Sequence, residues 1–298
     1  EPPRVLAATA WLAASDGTKL RGDLPAGATL AAFLGPAGIG EPSLAGLPPE
    51  MGLYACLFAG SVFWLFCSSN QTAVTVTSAI SLLMGTTLGG MAAGDAERFA
   101  TLATATALLV AAIGIIAWAV RAGAIVRFIS EGVMVGFKCG VALVLASTQL
   151  PKIFGIHGAH GSFWENANNL LTNLNRMHST SFVVGATALT IVLLGKVLLK
   201  HKPVALFVVI GGILASNLLD LQSHGVALLG QVPQGLPTPG LPGIRWSDVN
   251  DLLPLALACF LLGAVETAAI GRMFAAKHGG RLDANQEFLA LAAANLAA

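Results

Sequence analysis

The chain has 298 residues, of which 55% are hydrophobic and only 10% charged, with a net charge of +1 and a mean hydropathy of +0.75. Ordinary soluble domains carry about 25% charged residues, so this composition excludes a soluble globular fold. The net charge says nothing about nucleic acid, but there is no basic run or aromatic ladder for one, and no nucleic-acid partner is expected.

The first 22 residues are mixed, with Glu1, Arg4, Asp16, Lys19 and Arg21, and do not form a cleavable signal peptide. They are expected to be a cytoplasmic segment, 1–22. A membrane span needs about 20 apolar residues. Stretches meeting that demand predict spans near 24–44, 51–67, 74–93, 98–120, 128–150, 179–199, 203–221 and 251–271, with a ninth starting near 284. The predicted class is therefore an all-α, polytopic membrane protein. The run Leu44-Ala45-Gly46-Leu47-Pro48-Pro49-Glu50-Met51-Gly52-Leu53-Tyr54 joins the first two spans with a double proline and two glycines. Irregular backbone survives in lipid only when buried in protein or lining a polar cavity. This run points to a transporter or channel rather than a simple anchor.

Gly38, Gly40 and Pro42 surround Glu41 and predict that the first helix unwinds there. The third span is short, and its first turn is polar, with Thr75, Thr77, Ser78 and Ser81. Residues 151–178 form a polar, amphipathic stretch with Trp164, Glu165 and Arg176. Residues 222–250 form a Pro/Gly-rich loop in which proline density precludes a helix. Cys56, Cys67, Cys139 and Cys259 lie in apolar segments without CxxC spacing or nearby histidines. They read as buried small apolar residues rather than a metal site or disulfide framework. The sequence stops at Ala298 inside the ninth predicted span and is expected to be a piece of a longer protein.

Charge asymmetry tests the span assignment. With the N-terminus in the cytoplasm, Arg4, Lys19, Arg21, Arg121, Arg127, Lys196, Lys200, Lys202, Arg272, Lys277 and Arg281 fall inside. Only Arg98, Lys152, Arg176 and Arg245 fall outside, and Lys138 lies within a span. A missed span in the first half would scramble that bias.

Ionisable groups inside spans are costly and therefore informative. Glu266, in the eighth span, reads either as an ion-coupling carboxylate or as a hydrogen-bond partner across a helix interface. Glu41 reads as a functional carboxylate or as one reaching water near the outer interface. Glu131 and Lys138 lie about two turns apart on one helix face, and Lys138 snorkels towards the cytoplasm. The third span begins Thr75-Val76-Thr77-Ser78-Ala79-Ile80-Ser81. A helix N-terminus carries free N–H groups and the positive end of its dipole, so at the bilayer midplane it forms an anion site without any cation. At the interface the same residues are an ordinary N-cap.

Three blocks resemble the sulfate permease (SulP/SLC26) family of anion transporters. The first is Asp23-Leu24-Pro25-Ala26-Gly27-Ala28-Thr29, then Pro36, then Ser43 to Tyr54. The second is Ser68-Ser69-Asn70-Gln71-Thr72-Ala73-Val74, leading into Thr77-Ser78-Ala79-Ile80-Ser81. The third is Glu266-Thr267-Ala268-Ala269-Ile270-Gly271-Arg272, then Asp283-Ala284-Asn285-Gln286-Glu287 and Ala294-Asn295-Leu296. The resemblance implies roughly fourteen spans in two inverted repeats of roughly seven, of which this chain carries about eight and a half. It implies a core domain moving against a gate domain, with the N-termini of spans 3 and 10 aimed at one anion. It also implies a cytoplasmic STAS domain after the last span and a homodimer.

On that basis 23–123 holds core spans 1–4, 124–222 holds gate spans 5–7, 223–250 is an extracytoplasmic loop, and 251–298 holds span 8 and the start of span 9. Carried over by position, Thr77 and Ser78 meet the anion, together with the first-helix positions Ala37 and Glu41. Those two positions depart from the family, where Gln or Glu and then an aromatic are common. Pro42 stands where Ala is usual, Asn70 where Arg or Lys is usual, and Thr75-Val76 where Gly-Pro is usual. Glu266 matches the family's acidic position on span 8. Sodium-coupled members place Thr one turn later, where this chain has Ile270, so protons are favoured over sodium as the coupling ion.

The leading expectation is a proton-coupled symporter of an inorganic anion in the cell membrane, sulfate first and bicarbonate or dicarboxylate next. A nucleobase-type carrier of the same fold and a non-transporting, anion-binding membrane protein are the alternatives, both favoured by Ala37 and Glu41. No nucleophile–base pair or phosphate-binding loop supports an enzyme, and no cofactor is expected.

Overall fold

The computed structural model describes residues 17–69, 71–124, 131–156, 163–199, 204–226, 228, 235–236, 240, 243, 245–278 and 282–298. Every regular element among them is helical. In chain order they are α1 (Gly17–Ala45), α2 (Pro49–Phe66), α3 (Ser78–Ala92), α4 (Ala96–Ala119), α5 (Glu131–Ile153), α6 (Phe163–Thr172), α7 (Ser179–Leu198), α8 (Val204–Leu218), α9 (Trp246–His278) and α10 (Ala284–Ala297). Among the described residues, Pro49–Phe66, Ala96–Ala119, Ser179–Leu198 and Trp246–Ala275 are long and apolar enough to cross a membrane. Ala79–Ala92 and Phe207–Leu218 are shorter apolar helices. The protein is a multi-pass membrane protein.

The proline-rich hinge is built from two local rules. Gly46 takes a φ of +81° after the last residue of α1, and the Leu47 N–H donates to the Pro42 carbonyl at 3.0 Å. This is a Schellman closure, which favours glycine at the left-handed position. Pro49 then opens α2, where its missing N–H costs nothing. A second tight turn follows α3: Ala93 and Gly94 have positive φ, and Asp95 caps α4 by accepting from the N–H groups of Glu97 and Arg98 at 2.9 and 3.0 Å.

The expected unwinding around Glu41 does not occur: α1 runs unbroken from Gly17 to Ala45. Pro42 removes the donor that the Gly38 carbonyl would otherwise receive. That carbonyl and the Pro42 ring instead lie against Gly52 of α2, where a Cβ would sit 2.0 Å from the Gly38 oxygen and 2.2 Å from Pro42 Cγ. A Gly52 Cα hydrogen takes the place of a side chain, the geometry of a weak Cα–H···O contact. Other boundaries also shift. Residues 74–77, assigned to the third span, are not helical. The eighth span starts earlier, at Trp246, inside the stretch expected to be loop. Cys67 and Cys259 are buried as expected, but Cys56 is only partly buried and Cys139 is exposed on α5; on a membrane helix an apolar thiol is stable facing lipid. The side chains of Glu131 and Lys138, residue Asn70 and residues 1–16 lie outside the described residues.

The chain divides into two compact units. One holds Glu1–Gly22, Ala37–Gly136 and Gln234–Ala298; the other holds Asp23–Pro36 and Phe137–Pro233. In the first, α10 packs on α4 and α2, and α9 packs on α4, α3 and α10. Their shared core includes Phe63, Leu88, Leu102, Leu252 and Phe288, with the rings of Phe260 and Phe288 meeting edge-on at 5.3 Å. Small residues permit the close approach of α4 and α10: a Cβ on Gly114 would lie 2.9 Å from that of Ala292.

In the second unit α7 packs on α8, with Gly195 giving room to the Val204 side chain. His178 Nδ1 accepts from the Ser181 N–H at 3.3 Å and caps α7. The rings of Phe154 and Phe182 meet at a tilt of 40° with centroids 5.0 Å apart. The polar stretch 151–178 contains the amphipathic helix α6, on which Trp164 is exposed.

Candidate functional site

The site is set by the segment between α2 and α3. The chain leaves α2 at Phe66, passes through Ser68 and Ser69, and turns back along α2, so that the Val74 carbonyl lies 3.6 Å from where a Gly60 Cβ would be. Gly60 stands about 9 Å from the end of α2 at 1.5 Å per residue. Thr77, three residues beyond Val74, reaches up to about 10 Å further. The linker thus folds back along α2 before α3 begins at Ser78.

Thr77 is the N-cap of α3, with φ −126° and ψ 139°, yet its side chain makes no capping bond. Its hydroxyl oxygen is buried and has no hydrogen-bond partner among the described residues. The first intrahelical bond runs from the Ser81 N–H to the Thr77 carbonyl, 2.9 Å. The N–H groups of Ser78, Ala79 and Ile80 thus lie ahead of the helical ladder. By contrast Asp95, His178 and Asp283 cap their helices with their own side chains. A helix start with free N–H groups, an unused hydroxyl and the positive end of its dipole is chemically suited to an anion.

All five predicted site residues fall in the first unit. Thr77 and Ser78 open α3, although the Ser78 side chain lies outside the described residues. Ala37 and Glu41 sit one turn apart on α1 and are partly buried, beside the contact of Gly38 and Pro42 with α2. Glu266 is partly buried on α9, a helix that packs against α3. The following Thr267 is buried, whereas Ile270, one turn on, is exposed. Among the described residues no three His, Cys, Asp or Glu side chains cluster to hold a metal.

A polar cluster at the start of α10 was not assigned a role from sequence. Asp283 caps α10 through the N–H groups of Asn285 and Gln286 at 3.0 and 3.3 Å. Glu287, 1% exposed, accepts from both the N–H and the hydroxyl of Ser68, at 2.8 and 2.6 Å. Gln286 Nε2 donates to the Phe66 carbonyl at 2.6 Å, and Asn285 Nδ2 donates to the Trp118 carbonyl at 3.1 Å. The visible signal was a set of polar residues next to an apolar run. Their partners lie more than 160 residues away in sequence, for example 219 between Ser68 and Glu287 and 167 between Asn285 and Trp118.

Comparison with known proteins finds transporters. A probable sulfate transporter of Mycobacterium tuberculosis, MT1781, is 33% identical over 279 residues, covering 94% of this chain and 50% of that protein. The structure of the murine Slc26a9 anion transporter in its inward-facing state superposes with a TM-score of 0.85 at 24% identity, over 98% of this chain and 52% of that one. The transmembrane domain of BicA, a cyanobacterial bicarbonate transporter, gives 0.81 at 18% identity, over 95% and 72%. These likenesses confirm the all-α transporter fold. The chain spans about half the length of the curated relatives it matches. The pattern of the sulfate permease family matches residues 20–298, and the chain belongs to that family.

Proposed function

We propose that this chain forms part of a secondary active transporter that carries an inorganic anion across the cell membrane, sulfate first and bicarbonate or dicarboxylate next. The observation that carries the reading is the start of α3: a helix N-terminus without a side-chain cap, with the buried Thr77 hydroxyl unused among the described residues. Backbone N–H groups and a hydroxyl bind a desolvated anion without a cation, which leaves binding reversible. Names borne by relatives, sulfate transporter above all, favour sulfate.

Glu266, a carboxylate in the interior of α9, is proposed to carry the coupling proton. Ile270 supplies no side-chain ligand for sodium. Movement of a core domain against a gate domain, a cytoplasmic N-terminus and a homodimer complete the proposal. Glu41, standing where an aromatic is common, favours a second reading in which the anion is bound but not moved, or in which the substrate is a nucleobase.

Radiolabelled sulfate uptake into proteoliposomes, with and without an inward proton gradient, separates these readings. Transport of sulfate stimulated by the gradient is the expected result. The Thr77→Val variant, which keeps shape and loses the hydroxyl, is expected to raise the sulfate KM about tenfold, the loss of one hydrogen bond to a charged group. Saturable sulfate binding without uptake would establish the non-transporting reading instead.

A further inference from the structure

We infer that Glu287 and Gln286, at the start of α10, are positioning residues for the anion site: they anchor the linker that delivers the first turn of α3. The inference rests on the reading of α3 as the anion-binding helix and assigns the part of the protein that places it.

Residues 67–77 are not helical where described, and their far end is not held by a side-chain cap at Thr77. The placement of the α3 N-terminus therefore depends on the packing of α3 against α4 and α9 and on how the linker starts. Its start is held at two residues, Phe66 and Ser68. The Phe66 carbonyl accepts from Gln286 Nε2 at 2.6 Å. The Ser68 N–H and hydroxyl both donate to Glu287 Oε1, at 2.8 and 2.6 Å. The Asp283 N–H donates to the Ser68 hydroxyl oxygen at 3.1 Å. Cys67, fully buried between them, points its thiol at the Ser69 carbonyl, 3.2 Å away.

Glu287 and Gln286 are themselves buried. Their helix is fixed by the Asp283 cap and by Asn285 to the end of α4. Opposite Asn285, Gly123 leaves no room for a side chain: a Cβ there would lie 2.5 Å from the Asn285 nitrogen. The start of α10 is thus a node that holds the ends of α2 and α4 and the first residues of the linker. A buried carboxylate is costly and is retained where its hydrogen bonds are strong. The return on that cost is alignment of the α3 N–H groups, since a displacement of about 1 Å in a binding group costs about 100-fold in a well-aligned site.

The test measures sulfate KM and maximal rate in proteoliposomes, with thermal stability followed on the same protein. Ser68→Ala and Gln286→Ala, which remove one anchoring group each, are expected to raise KM about fivefold to tenfold with the maximal rate within about twofold. Glu287→Ala is expected to exceed both if it folds. Glu287→Gln keeps an acceptor oxygen in place and is expected to restore a near-native KM with an unchanged pH profile. Variants that lower stability while leaving KM native would show a merely structural role and overturn the inference. Loss of pH dependence in Glu287→Gln would make Glu287 a proton carrier and also overturn it. Thr77→Val separates the two levels. If it raises KM while the anchor variants do not, the anchoring inference fails alone; if it does not, the reading of α3 fails and the inference with it.

Discussion

The contact of α1 with α2 at Gly52 makes a sharp prediction. In Gly52→Ala the new Cβ would stand 2.0 Å from the Gly38 carbonyl oxygen, 2.2 Å from Pro42 Cγ and 2.8 Å from Pro42 Cδ. An unstrained carbon–oxygen contact needs about 3.3 Å, so the helices must separate by roughly 1 Å. No rotamer relieves the clash, because one obstacle is backbone and the other is a closed proline ring. Overpacking of this kind costs about 1–3 kcal/mol, and a backbone obstacle puts this site at the upper end. For a chain of this size the melting midpoint should fall by about 5 °C. Gly40→Ala is the control, since a Cβ there meets nothing within 4 Å and alanine is the better helix former. The assay is thermal unfolding of detergent-solubilised protein followed by size-exclusion chromatography. Because Ala37 and Glu41 ride on the same part of α1, the surviving Gly52→Ala protein should also bind sulfate more weakly. Equal midpoints for Gly52→Ala and Gly40→Ala would refute the close packing of α1 on α2 and with it the account of the unbroken first helix.

Two further predictions follow from other parts of the chain. Glu266→Gln should abolish stimulation of sulfate uptake by an inward proton gradient while retaining sulfate binding; uptake with unchanged pH dependence would remove Glu266 from the coupling mechanism. Gly46→Ala places a Cβ on a residue with φ +81°, which should cost about 1–2 kcal/mol and lower the midpoint. Gly22→Ala, where a Cβ meets nothing within 4 Å, should not.

What could be read from sequence was what local chemistry dictates. The hinge after Ala45 was visible because a left-handed glycine and a proline at the first helical position act within a few residues. The polar start of α3 was visible because threonine and serine stood in an otherwise apolar run, but its first residue was placed four positions too early. The sequence also led correctly to the family, because its identifying blocks are short and contiguous. The course of α1 through Glu41 and Pro42 was misjudged for the opposite reason. Whether a proline breaks a helix depends on what becomes of the carbonyl it orphans, and here that carbonyl faces Gly52 on another helix. The anchor at Glu287 was invisible on the same grounds: its partner lies 219 residues earlier, and no pattern in either segment names the other. The two misses share a consequence. Gly52 stood in the opening run as a helix breaker, and Glu287 stood in a closing motif as an identifier, yet both act by fixing backbone that carries the candidate site. On the proposed reading, residues without a direct role towards the anion set the positions of those that have one. The departures at Ala37 and Glu41 should therefore be judged by where α1 holds them, and that is decided at Gly52.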